Sequence, residues 1–159
     1  MKITVVDEKD EIIGYKDRTE IKQNDIYRVS SLWIENSKGD VLLAQRVHTK
    51  KHDPDKWGPA VAGTVEINET YESNMLKEAE EEIGLKNFVY REIGKYRRTG
   101  EHNFWAKKYL SIIDKDISEF KINKEEVEQI KWFGKNELAQ AVKQNPDQFL
   151  TSIKNYLAV

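Results

Sequence analysis

Three glutamates near the middle of the chain have the spacing of a metal-binding surface. At roughly 100° per residue in an α-helix, Glu78, Glu81 and Glu82 project into one arc of the helix surface. Like charges at the i, i+3 and i, i+4 spacings repel by about 0.2–0.5 kcal/mol per pair, and water or a cation relieves that repulsion. Mg²⁺ suits the arrangement because it is a hard ion held by one or two carboxylates, several waters and substrate phosphates.

The same helix carries an apolar set of residues that is expected to pack inward. Leu76, Ala79 and Ile83 fall on a second arc, so one helix can serve both the core and the chemistry. We predict this helix over about residues 70–83, with Gly84 ending it. A run of acidic residues alone is typical of a solvated helix surface, so its wider sequence context must decide between the two interpretations.

A longer pattern around these glutamates resembles the Nudix box, Gly-x5-Glu-x7-Arg-Glu-U-x-Glu-Glu-x-Gly-U, in which U is a bulky aliphatic residue. The matching positions are Gly63, Glu69, Lys77, Glu78, Glu81, Glu82, Gly84 and Leu85. Many residue types at fixed offsets rarely coincide by chance, so the pattern favours metal chemistry. The chain is therefore similar to the Nudix hydrolase superfamily, and within it most resembles the branch of isopentenyl-diphosphate isomerases and their hydrolase-like relatives.

Two positions depart from the family pattern. Ala79 stands where a larger aliphatic residue is usual, and Lys77 stands where the family has Arg. In the family that Arg pairs with the glutamate that matches Glu69. Lysine is a point donor and cannot make the bidentate fork of arginine, so the connection between loop and helix is expected to be looser here.

The resemblance implies a Mg²⁺-dependent hydrolase, with Mn²⁺ as the substitute metal, that cleaves a diphosphate linkage in a nucleoside diphosphate derivative or a similar small molecule. It implies that Glu78 and Glu82 are the main metal ligands. Glu81 would be a further ligand or would orient the water, and the backbone carbonyl of Gly63 can also bind metal. Such hydrolysis requires charge neutralisation on the phosphate oxygens and a nucleophilic water, which bound Mg²⁺ supplies.

The general base of many Nudix enzymes lies outside the box, on a segment that varies between subfamilies. Glu101 and His102 are candidates by residue type, since either could accept a proton from water. Glu125, Glu126 and Glu128 are the alternatives. We favour Glu126, because the segment 126–132 resembles one that recurs in Nudix proteins ahead of the last strand.

Two further sets of residues are candidates for substrate contact. Arg46 ends the segment 41–46, which resembles the family strand whose terminal arginine contacts the substrate phosphate. Alternatively, Arg46 is a solubilising charged residue at the end of a strand and does not bind substrate. Aromatic residues at strand positions belong more often to the core than to a stacking surface, and this applies to all four tryptophans. His48 and His52 lie in a polar loop and are expected to be exposed.

Composition restricts the class of protein. The 159 residues contain 26 basic and 28 acidic side chains, for a net charge of −2, and these are interspersed, so polymeric nucleic acid and membrane surfaces are not expected partners. There is no cysteine, which excludes disulfides and thiolate chemistry. We expect a single cytoplasmic domain over residues 1–159, acting as a monomer or homodimer on a small-molecule diphosphate.

The remaining pattern predicts alternating strands and helices. Strands are predicted at 2–7, 11–16, 27–34, 41–46, 58–65, 88–97, 104–113 and 127–133. The first four strands form two hairpins, and residues 47–57 form a polar loop. Two helices follow at about 136–144 and 146–157, the second with Asn145 as N-cap and Pro146 at its first position. Together with the resemblance, this order implies an α+β fold, the Nudix α/β/α sandwich with a mixed sheet.

Two rival functions remain open. The N-terminal half, including residues 39–46 and 57–64, resembles isopentenyl-diphosphate isomerases, which use a cysteine as acid/base and histidines at the metal. This chain has no cysteine, and Thr64 stands where a histidine would follow the glycine. The other rival is a catalytically silent Nudix-fold binding module, but such modules usually lose the carboxylates that this chain retains.

Overall fold

Nine strands and three α-helices build the structure, a computed structural model that describes residues 1–158. The strands are β1 (Lys2–Val6), β2 (Ile12–Asp17), β3 (Ile26–Glu35), β4 (Val41–Arg46), β5 (Trp57–Pro59), β6 (Val61–Thr64), β7 (Arg91–Arg98), β8 (Phe104–Ile112) and β9 (Val127–Phe133). The helices are α1 (Tyr71–Ile83), α2 (Lys135–Gln144) and α3 (Thr151–Leu157).

Both predicted hairpins are confirmed. Strands β1 and β2 pair antiparallel, and so do β3 and β4, with Ile34 opposite Leu42. The turn between β3 and β4 is held by Asn36, whose side-chain oxygen accepts hydrogen bonds from the backbone N–H groups of Lys38 and Asp40 at 3.0 and 2.9 Å. An Asn side chain that bonds the following backbone in this way favours a tight turn over a continued strand.

Strand β3 organises a mixed sheet. It pairs parallel with β8 along most of its length and antiparallel with β6 through Val29–Leu32, while β1 and β4 pair with its two ends. Strand β4 continues the sheet through β5 and β9. The sheet therefore presents β6 next to its centre, directly before the loop that enters α1.

The side chains of β3 and β4 alternate between two cores, as strand geometry requires. Leu32 and Ile34 face the core that contains α1, whereas Trp33 faces the core that contains α2 and α3. Helices thus cover both faces of the sheet, which confirms the predicted α/β/α sandwich. Trp33 and Trp57 are buried and the other two tryptophans are partly buried against the first core, as expected.

Helix α1 has the predicted boundaries but a slightly different inward face. Its buried stripe runs through Tyr71, Met75, Ala79 and Ile83, each four residues from the last. Leu76 was expected to pack inward, but it is 37% exposed, because it lies on the flank of that stripe. Within residues 1–158, no helix has the length and apolar composition needed to cross a bilayer.

The prediction of one helix over 146–157 was wrong. Pro146 opens only a short 3₁₀ turn, and Asn145 makes no side-chain cap. Phe149 is extended (φ −125°, ψ 139°) and pairs with Trp57, while the N–H of Leu150 donates to the Trp57 carbonyl at 2.9 Å. This pairing replaces the helical hydrogen bonds, so α3 begins only at Thr151.

Two strand predictions also need correction. The predicted strand 58–65 is two short strands, β5 and β6, the first of which begins at Trp57. Strand β7 begins at Arg91 rather than Phe88. Phe88 and Tyr90 pack on the first core instead, while the Val89 carbonyl accepts a hydrogen bond from the Ser111 hydroxyl.

Candidate active site

The orientation of α1 determines where its carboxylates point. Thr70 and Ser73 form a capping box at its N-terminus, and Gly84 ends it in the left-handed conformation (φ 67°). The buried stripe fixes the rotation of the helix against β3 and β6. Glu78 and Glu82, one helical turn apart, consequently face β6, whereas Glu81 is exposed at the edge of the same cavity.

Strand β6 approaches these carboxylates through its backbone. The Ala62 N–H donates to Oε1 of Glu82 at 3.4 Å. A Cβ atom added to Gly63 would lie 2.5 Å from Cγ of Glu78 and 3.0 Å from Oδ1 of Asn74. A side chain at position 63 would displace Glu78, so glycine permits the close approach between β6 and α1.

Burial and mutual repulsion perturb both inward carboxylates. Burial, with smaller contributions from the charges of Glu81 and Glu69, raises the pKa of Glu78 to about 7, although Lys77 opposes the shift. Burial and the charge of Glu78 raise the pKa of Glu82 to about 8. Both carboxyl groups therefore keep their protons to a higher pH than an ordinary glutamate does.

A lysine-centred cluster connects α1 to the loop that precedes it. The Lys77 ammonium forms ion pairs with Glu66 and, at 2.8 Å, with Glu69. Glu69 also accepts hydrogen bonds from the Glu66 N–H and the Asn74 amide, at 2.8 and 3.1 Å. Burial alone would oppose ionisation, but these partners keep the pKa of Glu69 low and that of Lys77 high. The expected contact between Lys77 and Glu69 is present.

A cavity of about 490 Å³ collects almost all of the predicted site residues. Its lining includes Arg46, Gly63, Lys77, Glu78, Glu81, Glu82 and Glu126. Glu69 does not line the cavity, but it forms an ion pair with Lys77, which does. Residues from β4, β6, α1 and the segment before β9 therefore converge on one concave surface.

The structure separates the candidates for a general base. Glu126 lines the cavity, pairs with Lys50, and its charge contributes to the raised pKa of Glu82. Glu101 and His102 line a different cavity, and neither Glu125 nor Glu128 lines the first. Glu126 is thus the favoured candidate on position as well as on sequence.

Arg46 lies where β4 ends and opens toward the same cavity. Its Nε donates to the His52 carbonyl at 3.1 Å, which fixes the guanidinium at the cavity wall. His48 and His52 are exposed, as predicted. The position of Arg46 is compatible with contact to a phosphate group, since arginine presents several donors in one plane.

The donor chemistry of the cavity fits a hard divalent cation. Among residues 1–158, no three acidic, histidine or cysteine side chains are already grouped as a complete metal site. Mg²⁺ does not require such a cage, because it retains waters and uses one or two carboxylates plus substrate phosphates. Glu78 and Glu82, which lie beside Gly63 and Ala62 of β6, are the carboxylates available for this role.

Several residues of the site were not found from the sequence. Lys50 pairs with Glu126, Asn123 lines the cavity, and buried Asn74 donates to the Thr64 carbonyl at 3.0 Å. Lys50 lies in a basic loop and Asn123 in an irregular segment, where no periodicity marks a function. Asn74 could have been noticed as a polar residue on the buried side of α1.

Similarity to known proteins agrees with this geometry. The family model of the NUDIX domain matches residues 26–153. An uncharacterized Nudix hydrolase of Pseudomonas aeruginosa is 32% identical over 95 residues, which cover 59% of this chain and 56% of that protein. The isopentenyl-diphosphate Delta-isomerase of Aliivibrio fischeri (strain MJ11) is 25% identical over 158 residues, which cover 92% of this chain and 87% of that protein. The chain spans little more than half the length of the Pseudomonas relative.

Solved structures share the fold. The crystal structure of DR0079 from Deinococcus radiodurans superposes with a TM-score of 0.78 and 22% identity, covering 90% of each chain. A MutT protein from Methanosarcina mazei superposes with a TM-score of 0.61 and 20% identity, covering 72% of this chain and 81% of that one. At such identities the similarity establishes the architecture alone.

Proposed function

We propose, because the chain belongs to the Nudix family, that it is a hydrolase that uses Mg²⁺ to cleave a diphosphate linkage in a nucleoside diphosphate derivative or a similar small molecule. Mn²⁺ is the substitute metal. The observation that carries the proposal is the approach of Glu78 to Gly63 and of Glu82 to the Ala62 N–H, in a cavity that Arg46 and Glu126 also line. The balanced charge of the chain supports a small substrate rather than a nucleic-acid polymer.

Glu78 and Glu82 would hold the metal, with Glu81 and the Gly63 carbonyl as further ligands. When bound, Mg²⁺ neutralises charge on phosphate oxygens and lowers the pKa of a water molecule. Burial raises the pKa of both main carboxyl groups above that of an ordinary glutamate, so a cation held between them would favour their ionised form. Glu81, exposed at the cavity edge, has the freedom to orient a water instead of binding directly.

Two residues across the cavity would act on water and substrate. Glu126 would accept the proton of the attacking water, and its pairing with Lys50 holds the carboxylate at the cavity wall. Arg46 would orient a phosphate group, because its Nε is already fixed by the His52 carbonyl. Lys77 and Glu69 would act indirectly, since they connect the loop 65–70 to α1.

Turnover of a substrate panel tests the proposal. Purified protein is assayed against nucleoside diphosphate derivatives and other diphosphates with Mg²⁺, with Mn²⁺ and with chelator, and Glu78→Gln serves as the site-disabled control. We expect metal-dependent hydrolysis of at least one compound, strongly reduced in Glu78→Gln. Hydrolysis that persists in chelator and in the variant would contradict the assignment of the site.

Isomerisation of isopentenyl diphosphate is the second candidate. The similarity to the Aliivibrio isomerase, which covers 92% of this chain, favours it. The chain has no cysteine, and Thr64 follows Gly63, so the acid/base residue and the histidine expected of an isomerase are missing. Incubation with isopentenyl diphosphate should therefore yield no allylic isomer, and its formation would favour the isomerase. Retention of Glu78, Glu81 and Glu82 likewise argues against a silent binding module.

A further inference from the structure

A second cavity of about 440 Å³ adjoins the first. Arg18, Arg46, Thr64 and Leu150 line both cavities, so the two form one continuous groove. The second cavity is otherwise lined by the segment between β2 and β3, the loop after β4 and the turn between β7 and β8. None of the carboxylates proposed as metal ligands lines it.

The second cavity has an excess of basic side chains. Arg18, Lys22, Arg46 and Lys51 all line it, and within residues 1–158 none of the four forms an ion pair with a carboxylate. Basic groups gathered in a concave site without counter-charges create a field that attracts anions.

The acidic residues of the second cavity compensate this charge only in part. Asp25 is paired with Lys16 at 2.8 Å, and Asp53 is paired with Lys56 at 3.4 Å. Neither of those lysines lines the cavity. Glu101 is the remaining carboxylate in the lining, and it is exposed. Four basic groups therefore face one uncompensated acid.

We propose that this second cavity binds an additional phosphate group of the substrate, one that lies beyond the cleaved diphosphate linkage. The inference rests on the proposed function, which places the cleaved linkage at Glu78 and Glu82. Arg46, at the junction of the cavities, contacts the linkage, while Lys22 and Lys51 lie farther along the groove and contact the added group. The preferred substrates are diphosphate compounds that carry such a group, either as a branch or as a longer phosphate chain.

Binding to matched ligand pairs tests this inference without requiring turnover. The first pair is ADP-ribose and ADP-ribose 2′-phosphate, which differ by a branch phosphate; the second is ADP and adenosine 5′-tetraphosphate, which differ in chain length. Affinities are measured by calorimetry in chelator at physiological ionic strength, for the wild type and for the double variant Lys22→Gln/Lys51→Gln. Lys9→Gln/Lys38→Gln, two exposed lysines in turns, is the control with the same change in net charge.

We expect the wild type to bind the phosphate-rich member of at least one pair about tenfold more tightly, as one good charge-assisted contact provides. This preference should disappear in Lys22→Gln/Lys51→Gln and remain in the control. The responding pair shows whether the group is a branch or a chain extension. Equal affinities in both pairs, or a preference that survives in Lys22→Gln/Lys51→Gln, would overturn the inference. If the wild type shows the preference but no metal-dependent hydrolysis, the phosphate site in this cavity stands and the proposed function is refuted. If it hydrolyses a substrate with metal but shows no preference, the proposed function stands and this inference is refuted.

Discussion

At the scale of residues, Glu78 and Glu82 determine how the site responds to protons and metal. Their pKa values, raised from an ordinary 4.5 to about 7 and about 8, mean that the folded chain binds protons more tightly than the unfolded chain. The resulting stabilisation is complete below pH 4.5 and is lost as the pH rises through 7 to 8. If Glu78 and Glu82 hold the metal, as proposed, a bound cation should replace the lost protons and restore stability at higher pH.

Glu82→Gln separates catalysis from stability. Loss of a metal ligand should lower kcat by at least about a hundredfold, while the metal-free variant should be as stable as the wild type or slightly more stable above pH 8, because its repulsion with Glu78 is removed. Kinetics with Mg²⁺ and thermal unfolding in chelator measure the two effects. Glu80→Gln, an exposed position on the same helix, is the matched control. Wild-type turnover by Glu82→Gln would show that α1 does not carry the metal site.

Gly63→Ala tests the contact between β6 and α1. The added Cβ would lie 2.5 Å from Cγ of Glu78, so the glutamate must move and metal affinity should fall by about tenfold or more. Mn²⁺ titration of the purified variant measures the change. Gly14→Ala, where an added Cβ meets nothing within 4 Å, should bind Mn²⁺ like the wild type. Equal affinity in Gly63→Ala would show that this close approach does not position Glu78.

At the scale of elements, the loop 65–70 and helix α1 act as one unit. Lys77 connects them through Glu66 and Glu69, and Asn74 supports Glu69 from the buried side of the helix. The structure shows how lysine occupies a position where the family has arginine: it uses two carboxylates in place of one bidentate partner. Whether the connection is looser than one made by arginine is tested by the Lys77 variants.

Variants of Lys77 test this connection. Lys77→Arg should preserve or raise activity, because a guanidinium offers more directed donors to Glu66 and Glu69. Lys77→Ala should lower kcat by about tenfold and reduce thermal stability, since it leaves two carboxylates without their cation. Lys86→Ala, which removes an exposed pair with Glu80, is the control. If Lys77→Ala matches the wild type in both measurements, the ion pairs do not support the site.

The sequence predicted elements best where local chemistry dominates. The ends of α1 follow from Thr70 and Gly84, and the turn after β3 follows from Asn36. Elsewhere, contacts between residues distant in the sequence determined the secondary structure. Phe149 has helical spacing with Ile153, yet its backbone pairs with Trp57, a residue far away in the chain. No local pattern could show that β5 would bind this segment.

At the scale of the whole molecule, the sheet brings remote segments to one groove. The grouping of Glu78, Glu81 and Glu82 could be predicted because all three lie within one helix. The second cavity could not, because Arg18, Lys22, Lys51 and His102 come from three separate connections, and each by itself is an ordinary surface residue. Strand β3, which pairs with four other strands, sets the spatial relation of these connections.

The fate of a water oxygen tests the central claim most directly. A hydrolase must transfer the oxygen of water to a phosphate product, whereas allylic isomerisation leaves the diphosphate intact and a binding module releases no product. Turnover in ¹⁸O-labelled water, followed by mass spectrometry, should place one ¹⁸O in a phosphate product, and chelator should abolish the signal. Conversion of isopentenyl diphosphate to its allylic isomer without label, or tight binding without turnover across a broad panel, would contradict the account.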